Sequence, residues 1–87
     1  MATVVVCDDD AAVRGAVSAI CDDIGLEVVA ETDSGADAAE LVHRFSVDLL
    51  ILDLSLSDGS GERTLRSLAE AGSDAAVAKQ ILKALKG

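Results

Sequence analysis

Two apolar runs of the sequence stop abruptly on aspartate, and no other feature constrains the fold as much. Residues 3–7 are mostly β-branched and are followed by three consecutive aspartates, and residues 47–52 are followed by Asp53. The first run has no polar alternation and the second ends in four apolar residues, which favours strands covered on both faces. We therefore predict two buried strands of a parallel sheet, each with acidic residues at its carboxyl end.

The segment after the first strand has the repeat of a helix. Apolar residues recur there at intervals of three and four, which predicts one buried helix face. The residues of this predicted face are Val13, Val17, Ile20 and Ile24. Asp10 is placed to cap the amino end of the helix, and Gly25 is placed to end it.

A second strand and a second helix follow. Residues 26–30 form a shorter predicted strand that carries Glu27, which suits the edge of a sheet. Ser34 and Asp37 match the capping-box pattern at the start of a helix. The inner side of this predicted helix consists of Ala38, Leu41, Val42 and Phe45.

The rest of the chain is predicted to contain a loop and two helices. Residues 55–61 have the composition of a loop, residues 62–71 have a helical repeat, and residues 73–87 form a final helix. Residues 75–79 begin as a strand would, but polar residues interrupt the run, so a short strand there is kept only as an alternative. Helices between successive strands specify parallel pairing and right-handed crossovers within one domain, residues 1–87.

Charge and composition exclude several classes of protein. Seven Lys plus Arg stand against 16 Asp plus Glu, a net charge of −9, which argues against direct binding to nucleic acid. No run approaches the ~18 apolar residues of a membrane span, and no secretory signal is recognisable, so we expect a soluble cytoplasmic protein. Cys7 and Cys21 form neither a metal-binding pair nor a disulfide framework. The sequence also lacks a phosphate-binding glycine loop and a nucleophile elbow, so we do not expect an enzyme.

Three carboxylates are expected to meet at one edge of the sheet. Carboxyl ends of parallel strands lie together, so Asp8, Asp9 and Asp53 converge if the first and third strands are neighbours. Such carboxylates repel one another unless a cation lies among them, and Mg²⁺ is the hard, oxygen-binding ion that fits best. An aspartate beside Mg²⁺ can also accept a phosphoryl group. A purely structural role remains open, because aspartates after strands also cap helices.

These motifs together resemble the receiver domain of bacterial two-component response regulators. Residues 4–14 resemble the family's first strand and acidic pair, and residues 25–31 with Ser34 resemble the second strand and the start of the second helix. Residues 47–54 resemble the third strand with its phosphoacceptor, and Gly61 stands at the family's glycine position. The resemblance implies a flavodoxin-like α/β fold, with a three-stranded parallel sheet of order 2-1-3 flanked by helices and closed by a final C-terminal helix.

The resemblance also implies a role for each acidic residue. Asp53 would be the phosphoacceptor, Asp9 and Asp53 would bind Mg²⁺ directly, and Asp8 would bind it through water. The backbone carbonyl of Ser55 would supply a further ligand. The implied partner is a histidine kinase or a phosphotransfer protein.

The sequence departs from the family after residue 72. Receivers continue with a fourth strand ending in Ser or Thr and a fifth ending in Lys, and no residue here matches either position, so the receiver is expected to be truncated after its third βα unit. Lys79, Lys83 and Lys86 are expected on the solvent face of the final helix. We therefore expect an impaired phosphoacceptor module of a phosphorelay. The alternative is a phosphorylation-independent dimerisation or protein-interaction module on a degenerate receiver scaffold.

The predicted strand order has a consequence for assembly. In the order 2-1-3 the third strand is an edge, although Leu49, Leu50, Ile51 and Leu52 make it the most apolar strand. Exposed apolar edges recruit other chains. We therefore expect a homodimer, formed by pairing of the third strands or by exchange of the C-terminal helix.

Overall fold

The computed structural model of the protein describes residues 1–53, Arg63, Thr64, Arg66 and residues 76–79. Its elements alternate between strands and helices along the chain. They are β1 (Thr3–Cys7), α1 (Ala11–Asp23), β2 (Glu27–Thr32), α2 (Gly35–Phe45), β3 (Leu49–Leu52) and β4 (Ala76–Lys79).

The strands form one sheet in the order β2-β1-β3-β4, and each neighbouring pair is parallel. The predicted α/β class and the predicted order 2-1-3 of the first three strands are confirmed. β2 lies at an edge, as Glu27 suggested, but it extends to Thr32 rather than ending at residue 30. The register of β2 against β1 shifts by one residue, because Val4 pairs with Val28 whereas Val5 pairs with Ala30.

The fourth strand corrects the prediction of a single helix over residues 73–87. Residues 76–79 are extended, and they pair with every residue of β3, from Leu49 opposite Ala76 to Leu52 opposite Lys79. The helical repeat of this segment is a local preference, whereas pairing satisfies the backbone N–H and C=O groups of a buried strand. Lys79 therefore ends a strand instead of lying on a helix face.

The same pairing removes the reason for expecting a homodimer through β3. Leu49, Leu50, Ile51 and Leu52 lie between β1 and β4, so they are not an exposed edge. The prediction of a dimer edge at these four residues was wrong, because the partner strand comes from the same chain.

Side chains at the helix ends explain where both helices begin. Asp10 caps α1, with its carboxylate accepting from the backbone N–H groups of Ala12 and Val13, and Ser34 caps α2 by accepting from the N–H of Asp37. Both caps were predicted. After α1 the chain turns at Gly25, whose φ of 84° suits glycine. α2 ends at Ser46, which adopts a left-handed conformation with φ 48°.

The core is divided between the two faces of the sheet. On the α2 face, the cluster of buried residues consists of Val5, Cys7, Ala38, Val42, Val47, Leu50 and Leu52. On the α1 face, it consists of Val4, Val6, Val17 and Cys21. The α1 face is thinner than predicted, because Ile20 and Ile24 are 56% and 68% exposed. Val17 and Cys21 are the buried residues of α1, and Ile24 lies beyond its last turn. Phe45 is also half-exposed rather than buried.

Several predicted features lie wholly or partly outside the described residues. The loop at residues 55–61 lies outside them, and so do all but three positions of the predicted helix at residues 62–71, where Arg63, Thr64 and Arg66 are helical. None of the helices in the described part of the chain combines the length and the apolar character needed to cross a bilayer.

Candidate functional site

The ends of β1 and β3 position the acidic residues. Cys7 and Leu52 are partners in register, so the residues that follow them, Asp8 and Asp53, emerge side by side. The backbone N–H of Asp53 donates to the carbonyl of Cys7 at 3.0 Å, and the N–H of Asp8 donates to the carbonyl of Thr32 on β2 at 3.0 Å. Both aspartates are thus fixed by strand pairing before any side chain contributes.

The structure brings Asp8, Asp9 and Asp53 together. One carboxylate oxygen from each lies within 4.8 Å of the others. Asp8 and Asp53 are fully buried, whereas Asp9 lies closer to solvent. Like charges that are buried in such proximity disfavour the folded state unless positive charge compensates them. The cluster therefore has the composition of a cation site.

The donor set fits a hard divalent cation such as Mg²⁺. Among the described residues it consists of carboxylate oxygens from two adjacent strand ends, and one carboxylate is open to solvent, where a metal can retain water. Ser55, the other predicted ligand, lies outside the described residues.

The turn between β1 and α1 is held by contacts that sequence reasoning missed. The N–H of Asp10 donates to Oδ1 of Asp8 at 2.9 Å. Nη1 of Arg14 donates to the carbonyl of Asp8 at 2.7 Å, and its Nε lies 3.9 Å from Oε1 of Glu31 on β2. An arginine in the second turn of a helix that begins after an acidic run was the available signal, but only the folded turn shows which carbonyl it contacts.

The opposite ends of the same strands carry Asp48. Its Oδ2 accepts from the backbone N–H of Thr3 at 2.9 Å and from the hydroxyl of Thr3 at 3.2 Å. Its own N–H donates to the carbonyl of Thr3 at 3.1 Å. This carboxylate joins β1 to β3 and lies far from the acidic cluster along both strands.

The two cysteines are core residues. Cys7 and Cys21 are buried in separate clusters on opposite faces of the sheet, and neither forms a disulfide. Burial raises the pKa of the Cys21 thiol, which disfavours the reactive thiolate.

Comparisons with known proteins agree with the fold. A family model described as the response regulator receiver domain matches residues 4–81. The chain is similar to the nitrate/nitrite response regulator protein NarP of Escherichia coli (strain K12), with 39% identity over 70 residues that make up 79% of this chain and 33% of that protein. The chain spans about a third of the length of the curated relatives that it matches.

Two solved structures show the same architecture. The signal receiver domain of a response regulator named NarL from Mycobacterium tuberculosis is 29% identical, with a TM-score of 0.79 over 90% of this chain and 64% of that one. The MaeR response regulator bound to beryllium trifluoride is 26% identical, with a TM-score of 0.83 over 92% of this chain and 66% of that one. The family model covers most of the sequence, and the chain belongs to the response regulator receiver domain family.

Proposed function

We propose that this chain is the phosphoacceptor module of a two-component phosphorelay and that Asp53 accepts the phosphoryl group. The observation that carries the proposal is the meeting of Asp8, Asp9 and Asp53 at the carboxyl ends of β1 and β3. Asp53 is the member of this cluster that directly follows the third strand, which is where the receiver family has its acceptor. Strand pairing holds its backbone at a fixed distance from the other two carboxylates.

The proposed reaction is a transfer between two side chains. A carboxylate oxygen of Asp53 attacks the phosphorus of a phosphohistidine on a histidine kinase or phosphotransfer protein. A P–O bond forms as the P–N bond breaks, and the leaving imidazole nitrogen takes up a proton. The product on this chain is an acyl phosphate. The net charge of −9 supports a protein partner over a nucleic acid.

The acidic cluster would hold Mg²⁺ during this transfer. Following the family pattern, Asp9 and Asp53 would bind the ion directly and Asp8 through water. The ion supplies charge compensation for the phosphoryl oxygens. The chain's own contribution is to bring the three carboxylates together and to bury two of them, so that the attacking oxygen of Asp53 is already oriented.

We further propose that the accepted phosphoryl group is weakly coupled to the rest of the domain. The family's fourth strand ends in Ser or Thr, and the residue that ends β4 is Lys79, opposite Leu52 and next to the acceptor in register. A lysine has no hydroxyl to follow the phosphoryl group as the family's switch residue does.

Beryllium trifluoride, the ligand in the MaeR structure, provides the test of weak coupling. We expect NMR shifts at Asp8, Asp9 and Asp53 but none along β4, and shifts throughout β4 would contradict weak coupling.

Phosphoryl uptake itself is tested by intact-mass measurement. The protein is incubated with Mg²⁺ and a small acyl phosphate, and we expect the mass of one phosphoryl group to be gained. Asp53→Asn should gain none, whereas Asp48→Asn, a carboxylate at the opposite strand ends, should gain as much as the wild type. Absence of uptake by the wild type would overturn the proposal and leave the phosphorylation-independent interaction module.

A further inference from the structure

Arg14 connects the acidic turn to two other elements of the fold. Its guanidinium lies over the end of β1, where Nη1 donates to the carbonyl of Asp8 at 2.7 Å. Its Nε lies 3.9 Å from Oε1 of Glu31, near the end of β2. The Arg14 side chain is 22% exposed, so it is largely packed against these partners rather than extended into solvent. A distance of 2.7 Å is short for an N–H···O hydrogen bond, as expected when the donor is a charged guanidinium.

The contact from Arg14 adds to two other hydrogen bonds that fix Asp8. The N–H of Asp8 is bound to the carbonyl of Thr32, and its Oδ1 is bound to the N–H of Asp10. The carbonyl of Asp8 is the third group, and Arg14 holds it. Because this carbonyl lies in the same planar peptide as the N and Cα of Asp9, holding it also holds the backbone atoms from which the Asp9 side chain extends.

We propose that Arg14 is a positioning residue that orders the Asp8–Asp9 turn, so that the carboxylates are arranged before a cation arrives. The identity of the cation rests on the proposed function, whereas the ordering of the turn does not. Arg14 itself contacts neither the cation nor the phosphoryl group in this scheme. It acts through the peptide between Asp8 and Asp9.

The charge of Arg14 and its geometry have opposite effects on cation binding. A positive charge near the cluster repels Mg²⁺, so a residue that acted only through its charge would weaken binding, and its removal would lower the Kd. A residue that acts by positioning strengthens binding, and its removal raises the Kd. The sign of the change therefore separates the two roles.

The planar fork of Arg14 is the feature that the proposal requires. One guanidinium reaches the Asp8 carbonyl through Nη1 and Glu31 through Nε, a combination that a single ammonium group does not reproduce. Arg14→Lys keeps the charge and loses the fork. We expect the Mg²⁺ Kd of Arg14→Lys to rise about tenfold, at the low end for loss of a group that orients metal ligands.

Two measurements test the proposal on the whole chain. Isothermal calorimetry gives the Mg²⁺ Kd of the wild type, Arg14→Lys and Arg14→Ala. Amide hydrogen exchange of Asp9 and Asp10, followed by NMR without metal, gives the order of the turn independently of any ligand. The matched control is Arg44→Lys, since Arg44 forms an exposed ion pair with Glu40 on α2 at 3.4 Å and is 64% exposed.

The expected result is a raised Kd and faster exchange in both Arg14 variants, with neither changed in Arg44→Lys. Exchange as slow as in the wild type, or a lowered Kd, would overturn the positioning role. A wild type that binds no Mg²⁺ overturns the proposed function instead, and the exchange rates of Asp9 and Asp10 then decide whether Arg14 orders the turn.

Discussion

The two ends of the β1–β3 pair place carboxylates in different environments. At the amino ends, one exposed carboxylate, Asp48, accepts hydrogen bonds from the backbone and the hydroxyl of Thr3. At the carboxyl ends, Asp8 and Asp53 are buried together, with Asp9 beside them. The same strand pairing thus supports one carboxylate that joins the two strands by accepting hydrogen bonds, and three carboxylates whose oxygens lie within 4.8 Å of one another.

The difference indicates which end serves the fold and which serves the chemistry. Groups that oppose folding are retained where they bind or react, and the cost is met by the surrounding structure. The Asp48–Thr3 contacts, five residues from Asp8 and Asp53 along the chain, contribute to this compensation. Removing a carboxylate should therefore change stability in opposite directions at the two ends, and only variants at the carboxyl ends should change the response to Mg²⁺.

The largest effect is expected from Mg²⁺ itself. At a concentration about 100 times its Kd, the ion should raise the free energy of unfolding by about 2.7 kcal/mol. Asp53→Asn should lose most of this increment, and without metal it should be more stable than the wild type by about 1 kcal/mol or more, because it removes one of the repelling charges. Urea unfolding followed by circular dichroism measures both quantities. An equal response to Mg²⁺ in the two proteins would contradict the assignment of the carboxyl ends.

At the amino ends, Asp48→Ala should lower the free energy of unfolding by about 1.5 kcal/mol, because charge-assisted hydrogen bonds to Thr3 are lost. The Mg²⁺ increment should stay as in the wild type. Thr3→Val is the matched variant, since it removes the hydroxyl donor and keeps the backbone donor, and its loss should be smaller. If Mg²⁺ raised the free energy of unfolding of Asp48→Ala by a different amount than in the wild type, the two ends would not act independently.

At the amino ends, Ser46→Gly is expected to raise the stability of the fold. Ser46 leads from α2 towards β3 with φ 48°, a conformation that glycine adopts without the steric cost of a Cβ. Stability should rise by about 0.5 kcal/mol, with no effect on phosphoryl uptake. Ser34→Gly, at the other end of α2, removes a side-chain cap and should not stabilise. Thermal unfolding distinguishes these outcomes.

The smallest effect is expected away from both ends, at Cys21. Burial raises the pKa of this thiol above its ordinary value of 9.0, so the folded state retains the proton to higher pH than the unfolded chain does. The resulting stabilisation is fully present below pH 9.0 and is lost as the pH rises through the folded-state pKa. Unfolding measured from pH 7 to pH 10 should show an alkaline decline that is shallower in Cys21→Ala. Identical slopes would show that burial does not hold this proton.

Local patterns predicted the parts of the fold that local chemistry decides. Asp10 and Ser34 were recognisable as caps because a single side chain satisfies nearby N–H groups. The convergence of Asp8 with Asp53 followed from the rule that carboxyl ends of parallel strands share one edge. Each of these predictions required only neighbouring residues or a general property of sheets.

Features that depend on distant partners were missed. β4 forms because β3 offers a pairing edge, and its own sequence has a helical repeat, so local propensity pointed the wrong way. Ile20 and Ile24 fit the spacing of a buried face, but the placement of α1 against the sheet buries Cys21 beside the predicted Val17 and leaves both isoleucines exposed. The contact of Arg14 with the Asp8 carbonyl depends on the shape of a turn that spacing does not specify.

The pairing of β1 with β3 also has a kinetic consequence. Val4 pairs with Leu49 and Cys7 with Leu52, so the partners are 45 positions apart in the sequence, with α1, β2 and α2 between them. Closing such a loop costs conformational entropy that only later contacts repay, and topologies rich in distant contacts fold slowly. Asp8 and Asp53 meet only when this closure is complete. Cation binding is therefore expected to appear late in refolding, as a signal of the finished topology rather than of any early collapsed state.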